Sequence, residues 1–332
     1  MKKMVILGLV FFGAICFGED AQQKEFYRAI NKGAEGMITL RVLDNEGRPA
    51  NAADIRANFP KPLFNQGVTN WITDTNGLCV LDGIAIDDIV YSITKRGYYE
   101  TRGWYAFSRQ KMPMVINGRW QPWNPTNTVV LKRIKNPVPM YVKKVEAVIP
   151  ALNQSIGFDF EKGDWVAPYG KGSRPDMLFF ATGKFDSNLE RNSFLEITFP
   201  NQKDGIKAFE IPVDSEFKDR SMFASPYSAP ESGYATNWIY ERKITPTREG
   251  RINPSPRDDM NFFFRTQTVV NENGKIVSVK YGKIYGDIVC DFADEKNLGI
   301  YFTYYLNPNT NDRNVEFDPE KNLFGGRDRF AP

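Results

Sequence analysis

Few residues in this chain could do chemistry near neutrality. Histidine is absent from all 332 positions, which excludes Ser-His-Asp and Cys-His nucleophilic catalysis, histidine general bases and every His-ligated metal site. Carboxylates remain. The densest stretch is Phe158-Asp159-Phe160-Glu161-Lys162-Gly163-Asp164-Trp165. Two residues apart, Asp159 and Glu161 would share one face of a strand, and Asp164 sits beside an aromatic ring. Glycoside cleavage needs such a pair, one carboxyl protonated and one ionised. The same residues also make an ordinary hairpin, with Gly163-Asp164 as turn and Trp165 as core anchor. Polysaccharide lyases offer a second histidine-free route, with Tyr or Lys as base and Arg neutralising a uronate; Tyr281, Lys283, Tyr285, Tyr304 and Arg265 are the right types. Gly170-Lys171-Gly172-Ser173 lacks the spacing and the following helix of a phosphate loop. No cofactor is implied, and calcium is the metal the residue types suit, because it needs only oxygens. Its candidates are the loop Asn307 to Asp312 and the acidic turn of Asp291, Asp294 and Glu295, although Asx-rich loops commonly satisfy only their own backbone.

Recognition needs less machinery than catalysis, and aromatics are abundant: 25 Phe, 15 Tyr and 6 Trp. Residues 102–127 hold Trp104, Tyr105, Phe107, Trp120 and Trp123. Flat apolar ring faces suit pyranose C–H surfaces, so Trp104, Tyr105, Trp120 and Trp123 are the candidate ligand-binding residues. The competing reading has them covering a core or an interface. Lys and Arg total 43 against 40 Asp and Glu, a net +3, too even a balance for a nucleic-acid field. Basic residues cluster only around a connector, at Lys132, Arg133, Lys135, Lys143 and Lys144.

The elements that must position these groups read as β. Met1 to Gly18 has the form of a secretory signal: Lys2-Lys3, then an apolar run from Met4 to Phe17, then Glu19-Asp20. The run falls short of the roughly 20 residues of a membrane span, and the expected location is periplasmic or extracellular. Residues 19–35 form a short N-terminal segment, with Gln22 to Asn31 as the one helical stretch. From residue 37 the apolar period is two: Ile38, Leu40, Val42; Ile55, Ala57, Phe59; Ile89, Tyr91, Ile93. Turns fall at Asn45–Pro49, Asn76-Gly77, Asp82-Gly83 and Arg96-Gly97, and Asn76-Gly77 predicts a hairpin between Trp71–Thr73 and Leu78–Leu81. A last strand is expected over Thr128–Ile134. Asn136-Pro137-Val138-Pro139-Met140 breaks the pattern as a linker. Residues 141–332 again alternate, at Leu195, Ile197, Phe199, at Val277, Val279, Tyr281 and at Ile300, Phe302, Tyr304. The expected fold class is all-β, an N-terminal Greek-key β-sandwich over 36–135 followed by a larger β-sandwich or jelly-roll-like domain over 141–332. Cys79 and Cys290 fall in different domains and read as separate buried thiols.

Val42-Leu43-Asp44-Asn45-Glu46-Gly47-Arg48-Pro49 with Ala53-Asp54-Ile55, Thr73–Gly77 with Leu81-Asp82-Gly83-Ile84, and Tyr91–Tyr98 ending in Gly-Tyr resemble the carboxypeptidase regulatory-like (transthyretin-like) domain. The likeness covers about residues 36–100 and a closing strand near 130. It implies a seven-stranded Greek-key sandwich that supports or presents other domains and catalyses nothing itself. Residues 102–127 depart from the family, which has a much shorter link there. The second domain resembles no family.

These features favour an exported, non-enzymatic two-domain protein that binds or presents a ligand, carbohydrate above all. Two alternatives stand beside it: a histidine-free glycoside hydrolase or polysaccharide lyase, and a structural subunit of an envelope or surface assembly. The expected partner is a glycan or cell-surface polymer, with no nucleic acid and no transmembrane span.

Overall fold

The computed structural model describes residues 10–60, 68–109, 115–212, 219–326 and 330–332, with side chains of the first helix described from residue 21. The elements run α1 (Val10–Lys32), β1 (Ala34–Asp44), β2 (Asp54–Asn58), β3 (Thr69–Ile72), β4 (Leu78–Ala85), β5 (Asp88–Thr94), β6 (Thr101–Ala106), β7 (Val115–Ile116), β8 (Arg119–Trp120) and β9 (Thr126–Leu131). They continue as β10 (Val138–Val148), β11 (Ser155–Asp159), β12 (Asp164–Trp165), β13 (Met177–Ser187), β14 (Glu190–Thr198), β15 (Gly205–Glu210) and β16 (Arg220–Ser221). The last are β17 (Asn237–Ile244), β18 (Met260–Val270), β19 (Ile276–Phe292), β20 (Leu298–Leu306) and β21 (Phe317–Asn322). The protein is nearly all β and divides into two compact units: Met1–Ile134 with Val213–Met222, and Lys135–Pro212 with Phe223–Pro332. The strand β16 thus returns from the second half of the chain to complete a sheet of the first unit. No helix among the described residues is long and apolar enough to cross a membrane.

In the first unit one sheet runs β4-β1-β8-β7, with β9 parallel to β1 over Thr39–Asp44, and the other runs β16-β6-β5-β2-β3. Period-two burial explains the packing. Ile38, Leu40, Val42, Ile55, Ile89, Tyr91 and Ile93 all point into one core, while their neighbours on each strand face out. The helix α1 stops at Gly33, whose φ of +85° suits the left-handed end residue and whose N–H bonds Ala29 O at 2.7 Å. It is longer than the segment expected from sequence.

The Asn76-Gly77 turn is present, with Gly77 at φ +73° and Gly77 N donating to Asp74 O at 3.0 Å, but it does not join a hairpin. After the single rung from Asp74 N to Leu78 O the chain diverges, β3 pairing β2 and β4 pairing β1 in opposite sheets. Two-sided burial demands this: the turn carries the chain across the core rather than along one sheet.

The second unit packs a six-stranded sheet, β15-β18-β19-β20-β10-β21, against a five-stranded one, β12-β11-β13-β14-β17. Its core takes Phe158, Trp165, Phe179 and Leu195 from one sheet and Phe262, Phe264, Phe302 and Tyr304 from the other. The central strand β18 is buried on both faces from Met260 to Thr266, which is why Asn261-Phe262-Phe263-Phe264 shows no alternation.

Candidate functional site

The carboxylates of the second unit are where the sequence placed its catalytic candidates, and the structure puts them to other use. Strand β11 ends at Asp159, and Gly163 N closes a turn on Asp159 O at 2.8 Å; Glu161 lies in that turn and shares no strand face with Asp159. Asp159 is 3 % exposed. Its Oδ1 accepts the backbone N–H groups of Glu161 and Lys162, both at 3.0 Å, and its Oδ2 those of Ser173 at 3.0 Å and Arg174 at 3.3 Å. Burial alone would raise its pKa, but the four N–H donors outweigh it and hold the carboxyl below the usual range. Asp159 is a clamp between two loops. Asp164 accepts Trp165 N at 2.8 Å and Lys171 N at 2.9 Å, and Trp165 is core.

One carboxyl pair does form, with a partner that sequence spacing could not reveal. Gln267 Nε2 donates to Glu161 Oε1 at 3.2 Å and to Asp176 Oδ1 at 2.8 Å. Desolvation opposes the Glu161 charge, but Lys280 Nζ at 2.5 Å, together with Gln267 and Arg174, lowers its pKa. Burial dominates at Asp176 and raises its pKa. Opposite shifts are what an acid–base pair requires. Asp176, however, is wholly buried and already bonded by Phe160 N at 2.8 Å and by Thr266 Oγ1 at 3.2 Å, so it presents no proton to a substrate.

The lyase set is dispersed. Tyr304 faces the main core, where its hydroxyl donates to Phe160 O at 2.8 Å. Tyr281 belongs to a separate cluster on the opposite face. Lys283 is 1 % exposed, 3.1 Å from Ser225 Oγ and lying over the rings of Phe223 and Tyr305. Arg265 Nε is committed to Lys203 O, and its guanidinium lies 4.6 Å from the Tyr234 ring centre; Tyr285 is half-buried beside a fourth cluster. The oxygens proposed for calcium are also engaged. Asp291 pairs with Arg191 and Arg242, both at 2.9 Å; Asp294 accepts Lys296 N and Asn297 N; Asn307 Nδ2 donates to Asp312 Oδ2. Among the described residues no group of three His, Cys, Asp or Glu could hold a metal ion. Cys79 and Cys290 are free and buried, their pKa values pushed up by burial to about 11 and about 12.

The aromatic platform over residues 102–127 needs correction. Trp120 is 0 % and Tyr105 1 % exposed. Trp120 stacks on Phe107 at 5.6 Å, and its Nε1 donates to Ala85 O at 2.8 Å; both side chains fill the first unit's core and cannot meet a ligand. Their positions follow strand alternation in β6 and β8, which sends every second residue inward. Trp104 and Trp123 stay half-buried but lie apart. Trp104, on β6, donates through Nε1 to Asp88 Oδ2 at 2.7 Å beneath Arg109, whereas Trp123 follows β8 beneath Arg119.

What the fold does assemble is the outer face of β2, β5 and β6. Register sets Arg56 opposite Ser92 and Ser92 opposite Arg102, so one row across three strands reads Arg56–Ser92–Arg102. The adjacent row on the same face reads Asn58–Val90–Trp104. A groove of about 340 Å³ runs over the first row and the Asn58–Val90 part of the second, lined by Arg56, Asn58, Val68, Val90, Ser92 and Arg102 with Glu100 at its end; Trp104 lies outside it. Val90 and Val68 are 43 % and 49 % exposed. Arg102 Nε donates to Glu100 Oε1 at 2.8 Å, while Arg56 has no acidic partner among the described residues. Asn58 Oδ1 is buried, and no donor among the described residues reaches it.

The returning segment braces the sheet from beneath. Tyr91 OH and Asn127 Nδ2 both donate to the Asp219 carboxylate, and Asn127 Nδ2 also donates to Tyr91 OH at 3.1 Å. A Cβ on Gly103 would collide with Asp219 and Tyr91. None of these groove residues carried a motif; the one sequence signal was the alternation around Arg56 and Ser92, while Arg102 opens the 102–127 stretch, in which no period was read.

No family model matches the chain, and no curated protein matches it. Among solved structures it is similar to 3-chlorocatechol 1,2-dioxygenase from Rhodococcus opacus, at 13 % identity over 31 % of this chain and 61 % of that one, with a TM-score of 0.24. It spans just over half, 54 %, of catechol 1,2-dioxygenase from Acinetobacter radioresistens, with a TM-score of 0.25. A DUF3823 family protein from Parabacteroides merdae aligns at 9 % identity over 86 % of this chain and 100 % of that one, TM-score 0.19. A candidate carbohydrate-binding protein from Bacteroides uniformis aligns at 10 % identity over 81 % and 96 %, TM-score 0.18.

Proposed function

We propose that this is an exported, non-enzymatic binding protein whose ligand is carbohydrate, held on the outer face of β2, β5 and β6. In this reading residues 1–18 are a cleaved signal and residues 36–135 a carboxypeptidase regulatory-like sandwich. A linker over 136–140 leads to a second β domain over 141–332. The observation that carries it is the pairing of two rows in register: Arg56–Ser92–Arg102, rich in donors, beside Asn58–Val90–Trp104, which offers apolar surface. A pyranose has the same two-sided character, C–H faces for Val90 and hydroxyls for Ser92 and the guanidinium groups. A binding groove mixes apolar surface with a few placed polar groups. The carboxylates that hydrolysis would need serve as loop clamps and buried ion partners, which favours binding over cleavage.

A glycan array probed with the whole secreted chain tests the reading, using Val90→Asp and Trp104→Ala as site variants. Binding to at least one saccharide class, lost in Val90→Asp, is expected. Binding to none, or binding indifferent to both substitutions, refutes it. N-terminal sequencing of exported protein should begin at Glu19.

A further inference from the structure

A neutral sugar would leave one feature of the groove unused. Strands lie about 4.8 Å apart, so Arg56 and Arg102 start about 10 Å from each other with the short Ser92 side chain between them. Two long guanidinium arms can therefore converge above one hydroxyl. The two cations are in different states. Arg102 is held by Glu100, whereas Arg56 is exposed with no acidic partner among the described residues. The same register sets Arg220 of β16 beside Arg102, at the end of the row away from Arg56. A planar carboxylate matches two guanidinium forks better than a hydroxyl does. Val90 and Val68 then give the ring carbons an apolar wall.

We propose that the groove's ligand is a hexuronate residue of an acidic polysaccharide, its carboxylate bridging Arg56 and Arg102 across Ser92, with Glu100 as the resident counter-ion that the ligand displaces. This rests on the sheet-face reading above and adds the charge of the sugar to it. Glu100 makes the site selective, because the ligand must replace an existing ion pair and a neutral sugar gains nothing by doing so.

The test is calorimetric titration of the whole chain with oligogalacturonate, oligomannuronate and oligoglucuronate, each against its methyl ester, and with a sulfated galactan oligosaccharide. At least one acid should bind about tenfold or more tighter than its ester, the step expected of one charge-assisted contact. Arg56→Gln should remove that preference, weakening the acid about tenfold more than the ester. Glu100→Gln should tighten the acid alone. Raising salt from about 50 mM to about 500 mM should weaken the acid and spare the ester, because exposed charges are screened over a few ångströms at high salt. Equal binding of acid and ester, abolished by Val90→Asp, overturns the hexuronate proposal and leaves sheet-face binding standing. A sulfated oligosaccharide bound more tightly than every uronate overturns the carboxylate assignment. No binding of any acid or ester overturns the hexuronate proposal, while sheet-face binding stands or falls on the glycan array.

Discussion

Replacing Asp159 separates a catalytic carboxylate from a structural one. The residue is 3 % exposed and accepts four backbone N–H groups, three at 3.0 Å and one at 3.3 Å, from the loops before and after β12. A hydrogen bond to a charged acceptor contributes roughly 1.5–3 kcal/mol net, and an orphaned donor costs about 1–3 kcal/mol. Summing four such bonds would overshoot, because Lys162, Ser173 and Arg174 are exposed and water can take over their donors. Crediting about two bonds in full gives a cost near 3 kcal/mol for Asp159→Ala, a large fraction of the stability of an ordinary domain. Asp159→Asn should cost less, since one acceptor oxygen survives while the amide meets two donors. Urea unfolding at neutral pH, followed by near-ultraviolet circular dichroism, measures both. An Asp159→Ala variant within about 0.5 kcal/mol of the wild type would refute the clamp.

Trp120→Ala should destabilise the first unit by about 3–5 kcal/mol, as truncation of a fully buried aromatic does, and thermal melting should register this before any effect on ligand binding is measurable. Asp176 gives a pH signature. Burial raises its pKa in the fold, so folding takes up a proton between the unfolded value near 3.9 and the raised one. Its contribution to stability therefore falls as pH rises through that window. Asp159 and Glu161, with lowered values, behave oppositely, losing their contribution as pH falls through the folded pKa. Asp176→Asn removes the falling contribution alone. Relative to wild type the variant should gain melting temperature as pH is raised above about 4, whatever its fixed offset from altered hydrogen bonds; a difference that stays constant as pH is raised would contradict the assignment.

The all-β class was legible because alternation is a local signal. Ile38, Leu40 and Val42, or Ile89, Tyr91 and Ile93, declare their inward face within a few residues. Strand partnership is not local. The Asn76-Gly77 dipeptide specifies a tight turn, and the turn formed, but whether the flanking strands pair or part depends on what each must cover. Trp120 misled for a related reason. An aromatic-rich insertion looks like surface machinery until its strands are known, and the two-residue pair β7–β8 is too short to declare a period.

The groove was illegible for a deeper cause. Arg56 and Arg102 meet only because β2 and β6 both flank β5, and because register sets Ser92 opposite each of them. Slipping either strand by one residue would turn its arginine inward and bring Ile55 or Tyr105 to the surface. The hydrophobic core therefore enforces the alignment of a row it never touches. Packing of Ile55, Tyr91 and Tyr105 fixes the register, and register places the two cations about one strand either side of a hydroxyl. A site built this way has no spacing motif, since its residues are ordered across strands rather than along the chain. Aromatic density along the sequence, by contrast, reported the interior of the first unit, where Tyr105, Phe107 and Trp120 pack together.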